Sequence, residues 1–167
     1  MGDLSTNFNQ SEFEKDGPIP AECVPILRRL VVEVLEPIRA FCGCPLEITS
    51  GYRPPEANAE AHGQTNSEHM YTATKAATDF LTPNNSPTAR GVFDWMRNNS
   101  TLPYHQLILE HGQLSTVIHV SINSEMPGVR SVLEGATHNA VPYIKVDHVD
   151  YLPSSNADNV QQANVEG

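Results

Sequence analysis

The apolar pattern between Val24 and Phe41 sets the tightest limit on what this chain can fold into. Ile26, Leu27, Leu30, Val31, Val34, Leu35, Ile38 and Phe41 recur at intervals of three and four, with Arg28, Arg29, Glu33, Glu36 and Arg39 between them. A helix gathers such a set on one face; an extended strand would scatter it over two. The pattern predicts a long N-terminal helix over about 23–42, kinked near its end by Pro37 and stopped by Gly43. A face this apolar needs a second layer to cover it. Segments with strand character supply one: PLEITS at 45–50, AATDFL at 76–81, HQLILE at 105–110 and TVIHVSI at 116–122. HGQLS joins the third and fourth as a hairpin, and VPYIKVDHV at 141–149 reads as a last strand. The segment 124–140 reads as irregular. The expected fold is α+β, a small and mainly antiparallel sheet packed against the long N-terminal helix.

Shorter elements complete the outline. Residues 4–16 suggest a short helix, with Ser11 and Glu14 as a capping box and Phe8 and Phe13 docking it on the core. Pro54 and Pro55 suit the first turn of a short helix at 54–61, and Ser86-Pro87 a helix start ahead of Val92, Phe93, Trp95 and Met96. The chain of 167 residues suits one domain over 1–151. Residues 152–167 form a polar tail with little to bury, expected to be mobile unless a partner orders it.

Charge narrows the partners. Ten Lys and Arg against 20 Asp and Glu give a net charge of −10, and no basic patch is present for phosphate, so nucleic acid is excluded as an expected partner. No apolar run is long enough to cross a membrane, and the opening MGDLSTNFNQSEFEK has no apolar signal-peptide core. Cys23, Cys42 and Cys44 are odd in number and irregular in spacing, and read as free thiols, consistent with synthesis in a reducing compartment.

Chemistry concentrates between Thr49 and Phe80, where Arg53, Asn58, Ser67, His69 and Asp79 occur within a stretch short of apolar runs. His119 sits alone in the apolar pattern of 116–122. Two imidazoles and one carboxylate make a three-ligand set for zinc that leaves a position open for water. Zinc at such a site lowers the pKa of that water to about 7, and a carboxylate must then carry the proton; Glu110 is the nearest in sequence. On the hairpin, Glu110 can share a face with His119. Arg53 offers a fixed positive charge for a substrate carboxylate or a developing oxyanion. Each residue also has a plainer reading. His119 alone would be a hydrogen-bonded core residue, Arg53 a tie for its own loop, Glu110 the end of a strand and Ser67 a turn residue supporting His69. Asp147, His148 and Asp150 read as solvated surface; His62, His105, His111 and His138 receive no role.

Taken together, these segments resemble the M15 peptidases, zinc enzymes that act on the D-amino-acid peptides of bacterial cell walls. The D-Ala-D-Ala carboxypeptidase branch, often found in phages, is the most similar. LSTNFNQSEF resembles the branch's opening segment, and VLEPIRAFCGCPLEITSGYRPPEAN its long helix and following strand. Ser67-Glu68-His69 with Ala77 and Asp79 is similar to the metal motif, and HQLILE with IHVS to the closing hairpin. The resemblance implies zinc ligands at His69, Asp79 and His119, Arg53 orienting substrate with Ser67 nearby, and a cell-wall peptide as substrate. Two departures stand out. The family places its Asp seven residues after the first His, whereas here the step is ten, and several branches carry a Glu where this chain has Thr116. The longer loop is expected to bulge outward and leave Asp79 aimed at His69. The departures keep a second reading open: a non-catalytic virion component that retains the frame for binding. The resemblance to a branch often found in phages also implies synthesis in the cytoplasm of a host cell, virion association as a later fate, and other virion proteins as partners of the tail at 152–167.

Overall fold

The computed structural model describes residues 2–136 and 144–146. Its helical path begins as α1 (Val24–Leu30), widens through a π-helical segment at Val31–Leu35, and continues as α2 (Glu36–Cys42). The widening has a cause. Pro37 lies in the first turn of α2, where its ring would press on a carbonyl one turn back and its nitrogen donates nothing. The Glu36 N–H reaches back to the Val31 carbonyl, a π-type bond that opens the turn just before the proline. The disturbance therefore precedes Pro37, whereas the sequence suggested a kink near the helix end. Gly43, at φ 66°, closes α2 in the left-handed conformation that costs glycine least.

Ile26, Leu27, Leu30, Val31, Val34, Leu35 and Ile38 are all buried. Phe41 is not: it is 43% exposed and stacks on Trp95 with ring centroids 4.4 Å apart. Trp95 belongs to α4 (Ala89–Asn98), whose cap is Thr88, accepting from Gly91 N–H, and not the Ser86 suggested by the sequence. The opening segment forms a single 3-10 turn at Gln10–Phe13 in place of a helix over 4–16. Its capping contact is Asn9 N–H to the Glu12 side chain at 2.7 Å. Glu14 instead accepts from Gln10 Nε2 and from the Ile19 N–H. The short α3 covers Pro55–Glu60.

Among the described residues six strands build one sheet: β1 (Glu47–Ser50), β2 (Lys75–Leu81), β3 (Gln106–His111), β4 (Thr116–Asn123), β5 (Ser131–Ala136) and β6 (Ile144–Val146). Their order is β1-β2-β4-β3-β5-β6, antiparallel throughout except for the parallel pair β3/β5. The sheet is thus mixed. β5 lies within the segment read as irregular. Of residues 131–135 only Val132 is buried, so the alternation that marks a strand in sequence is faint there. The expected tail at 152–167, and Asp147, His148 and Asp150, lie outside the described residues.

The sheet's two faces differ in chemistry. Phe80, Ile118, Val120, Leu107, Leu109 and Val132 point to the helices and join one continuous core with α1, α2 and α4. Asp79, His119, Ser121, Ile108 and Glu110 occupy the alternate positions and face the other way.

Candidate metal centre

Register decides who meets whom. Asp79 and His119 are partners across β2 and β4, and Ile108 is the partner of His119 across β4 and β3. Glu110, two residues beyond Ile108, therefore shares the face of His119, one step nearer the hairpin turn. That turn is closed by Gly112 N–H to Ser115 O at 2.9 Å.

His69 reaches this face from outside the sheet. It sits on a turn whose Met70 N–H bonds to the Ser67 carbonyl, and its own N–H bonds to Ser67 Oγ at 3.2 Å. The extra residues between His69 and Asp79 form a separate loop ahead of β2, tied by Thr72 N–H to Lys75 O and by Ser124 N–H to Thr74 O. Asp79 consequently stays on its strand. His69 Nε2 lies 3.2 Å from Asp79 Oδ1 and 3.1 Å from His119 Nδ1, and His119 Nδ1 lies 2.9 Å from Asp79 Oδ1. All three side chains are buried, and they are the one group among the described residues placed to share a metal ion.

The outer nitrogens fix the inner ones. His69 Nδ1 is 2.7 Å from the Gly51 carbonyl, which only accepts, so that nitrogen carries the proton. His119 Nε2 likewise faces Gln106 Oε1 at 3.3 Å. Each neutral ring then turns an unprotonated nitrogen inward, toward a carboxylate oxygen. With both rings neutral, three lone-pair atoms stand about 3 Å apart with no donor among them, an arrangement that a metal ion satisfies and that, without one, a further proton on His119 satisfies by bonding to Asp79. The residues present therefore fit a metal ion with two imidazole ligands and one carboxylate.

The titration shifts have the same origin. Burial raises the Asp79 carboxyl, but the imidazoles' charge and hydrogen bonds outweigh it and hold it well below the usual carboxylate range. Burial lowers His119, but the hydrogen bond and charge of Asp79, with Glu110 and Glu68 behind, raise it on balance. Tyr71, sealed in beside the site with its hydroxyl donating to Ala77 O, is raised by burial first and by Asp79 second.

The frame around the centre is built from backbone as well. Gly51 can present its carbonyl to His69 because the chain passes close to Phe13 there; a Cβ on Gly51 would meet the Phe13 carbonyl oxygen at 2.5 Å. The adjacent Tyr52 N–H bonds to that oxygen, so the opening segment, through Phe13, sets the position of the Gly51 carbonyl. Arg53 works at two levels: its N–H bonds to the His69 carbonyl, and its guanidinium lies 3.5 Å from Asp79 Oδ2 and 3.2 Å from Ser50 Oγ. Ser67 supports the His69 turn as described.

Four residues to which the sequence reading gave no function prove close to the centre. Glu68 is buried; its carboxylate accepts from Ser121 Oγ and His105 Nδ1, and those bonds hold its pKa down against the upward pull of burial. Gln106 holds the far side of His119. Ser121 had a legible signal, since it lies two residues beyond His119 and must share its face. Glu68, His105 and Gln106 had none, because their partners are remote in sequence.

No curated protein matches the chain. A family model described as Peptidase M15 matches residues 7–121, from the opening turn into β4 and across every residue of the centre. With more than half its length so matched, the chain belongs to the Peptidase M15 family.

Proposed function

We propose that the protein is a zinc-dependent peptidase that cleaves D-Ala-containing peptides of the bacterial cell wall, of the D-Ala-D-Ala carboxypeptidase branch and phage-encoded. The observation that carries the metal reading is the inward convergence of His69 Nε2, His119 Nδ1 and Asp79 Oδ1, all buried and within 3.2 Å of one another. The branch, substrate and origin rest on the resemblance of the opening segment, the SGYR element and the closing hairpin. Zinc held by two imidazoles and a carboxylate supplies Lewis acidity to a scissile carbonyl and acidifies a water beside it.

The chain's own residues do the rest. Arg53, already braced against Asp79, presents positive charge to the carboxylate of a substrate peptide and fixes its direction, and Ser67, on the His69 turn, is the second substrate-binding residue. Glu110, on the face of His119, takes a proton from the attacking water and returns it to the amine nitrogen as the C–N bond breaks. Thr116, which has no acid–base capacity near neutral pH, leaves that task to Glu110.

Metal analysis of the purified protein and digestion of muropeptides test the reading. The expected result is one zinc per chain, release of D-Ala or a shortened peptide, and loss of both zinc and cleavage in His119→Ala with the fold kept. A protein that binds zinc yet leaves muropeptides intact would overturn the peptidase reading in favour of a binding frame in a virion component.

A further inference from the structure

His69 differs from its two partners in what holds it. Asp79 and His119 are fixed by the β2/β4 ladder, whereas His69 rides on a turn outside the sheet. The residue before it, Glu68, has a side chain that is 6% exposed and fully engaged. Its Oε1 accepts from Ser121 Oγ at 2.6 Å and from His105 Nδ1 at 2.9 Å, and its Oε2 lies 3.0 Å from the same nitrogen. Ser121 Oγ in turn accepts from Gln106 N–H at 3.0 Å, and Gln106 Oε1 faces His119 Nε2. His105 is itself fixed, its N–H on Ser121 O and its carbonyl accepting from Ser131 N–H. The bonds form a closed path from one imidazole to the other: His69 by the backbone to Glu68, then Ser121, Gln106 and His119.

A carboxylate is costly to bury, and a turn this short could expose it to water instead. Its placement against β4 makes sense as a brace. We propose that Glu68 is a positioning residue: clamped by Ser121 and His105, it locks the His69 turn onto β4 and so sets the distance between His69 and His119 at which a divalent metal is held. The inference rests on the metal-centre reading above. Glu68 touches neither metal nor substrate; it acts through the turn. Outer partners of metal ligands typically change affinity by about 10–100-fold when removed.

Cobalt(II) is the probe, because its visible absorption reports ligand geometry without any turnover. Affinity is measured by chelator competition on the full chain, with the thermal midpoint of the metal-free protein followed in parallel. Glu68→Ala is expected to bind cobalt about 10–100-fold more weakly, with an altered visible band. Glu68→Gln, which keeps an acceptor for Ser121 Oγ, should recover most of that affinity. Ser121→Ala should fall between. Glu68→Ala with a lowered thermal midpoint but unchanged cobalt affinity and spectrum would overturn the proposal and leave Glu68 a stabilising residue only. If Glu68→Ala does not fold, Ser121→Ala decides: an unchanged affinity and spectrum there overturns the proposal equally. Wild-type protein that takes up no cobalt would remove the metal-centre reading itself and this inference with it, a failure seen before any variant is made.

Discussion

Asp79 and Phe80 are neighbours on β2, yet they belong to different proteins in an energetic sense. Phe80 is fully buried in the core between sheet and helices. Asp79 is almost as well covered, but by imidazoles and a guanidinium. One face of the sheet is closed by apolar area, which is non-directional and tolerant of small shifts. The other is closed by lone pairs and charges, which are directional and placed to share a metal ion. The first face makes the structure stable; the second makes it useful. Period-two alternation lets one strand serve both.

The largest expected effects come from exchanging the demands of those two neighbours. Phe80→Ala should cost about 3–5 kcal/mol of stability, read from chemical denaturation of the metal-free protein. Asp79→Asn should keep a cooperative fold and lose metal retention, read by metal analysis after dialysis. The comparison breaks if the phenotypes are reversed, with Asp79→Asn unfolding the chain and Phe80→Ala merely loosening the metal.

A smaller effect follows from pH. In the metal-free protein His119 is raised above its ordinary value of 6.5, so its stabilising contribution is complete below that value and fades as pH rises through the raised one. Asp79 is depressed, so its contribution holds above its ordinary 3.8 and is lost as pH falls toward the depressed value. The metal-free centre is therefore most favourable between those limits. Metal must displace the His119 proton, so the two states respond oppositely: metal affinity should climb through and beyond pH 6.5 while the metal-free contribution declines. Chelator competition across pH 5.5–8.5 measures it, and an affinity flat over that range would show that His119 is not a ligand.

What could be read from the sequence divides along the same line. The helix over 24–42 and strands β1 to β4 were legible because apolar periodicity is local, and each pattern spans one element. The three inward-facing residues were legible because their types and order carry a recognisable chemistry. β5 escaped because its partners are β3, reached by a parallel crossover, and β6, so little of its own sequence needs to be apolar. Glu68, His105 and Gln106 escaped for a related reason: a brace is defined by a contact 13 to 53 residues away in sequence, not by the residue that makes it. The π segment was hidden because proline marks where a helix is disturbed, not which side of it relaxes.

The helix-side face is not wholly apolar, and its exception gives the smallest test. Glu134, on β5 near the edge of the sheet, is paired with Arg90 of α4 and with His111 of β3, so a charge cluster stands where the core thins out. Burial raises its carboxyl, but the Arg90 and His111 hydrogen bonds and their charges lower it on balance. Its stabilising contribution is then present above its ordinary 4.5 and is lost as pH falls through the depressed value. Glu134→Gln should destabilise the protein by about 1 kcal/mol near neutral pH, since the cluster is only half removed from water. The gap between variant and wild type should close as pH drops below 4.5, with metal affinity the same in both throughout. A gap that persists in acid would mean that Glu134 serves by shape and packing, as Phe80 does, and the division between directional and non-directional closure would not extend to the edge of the sheet.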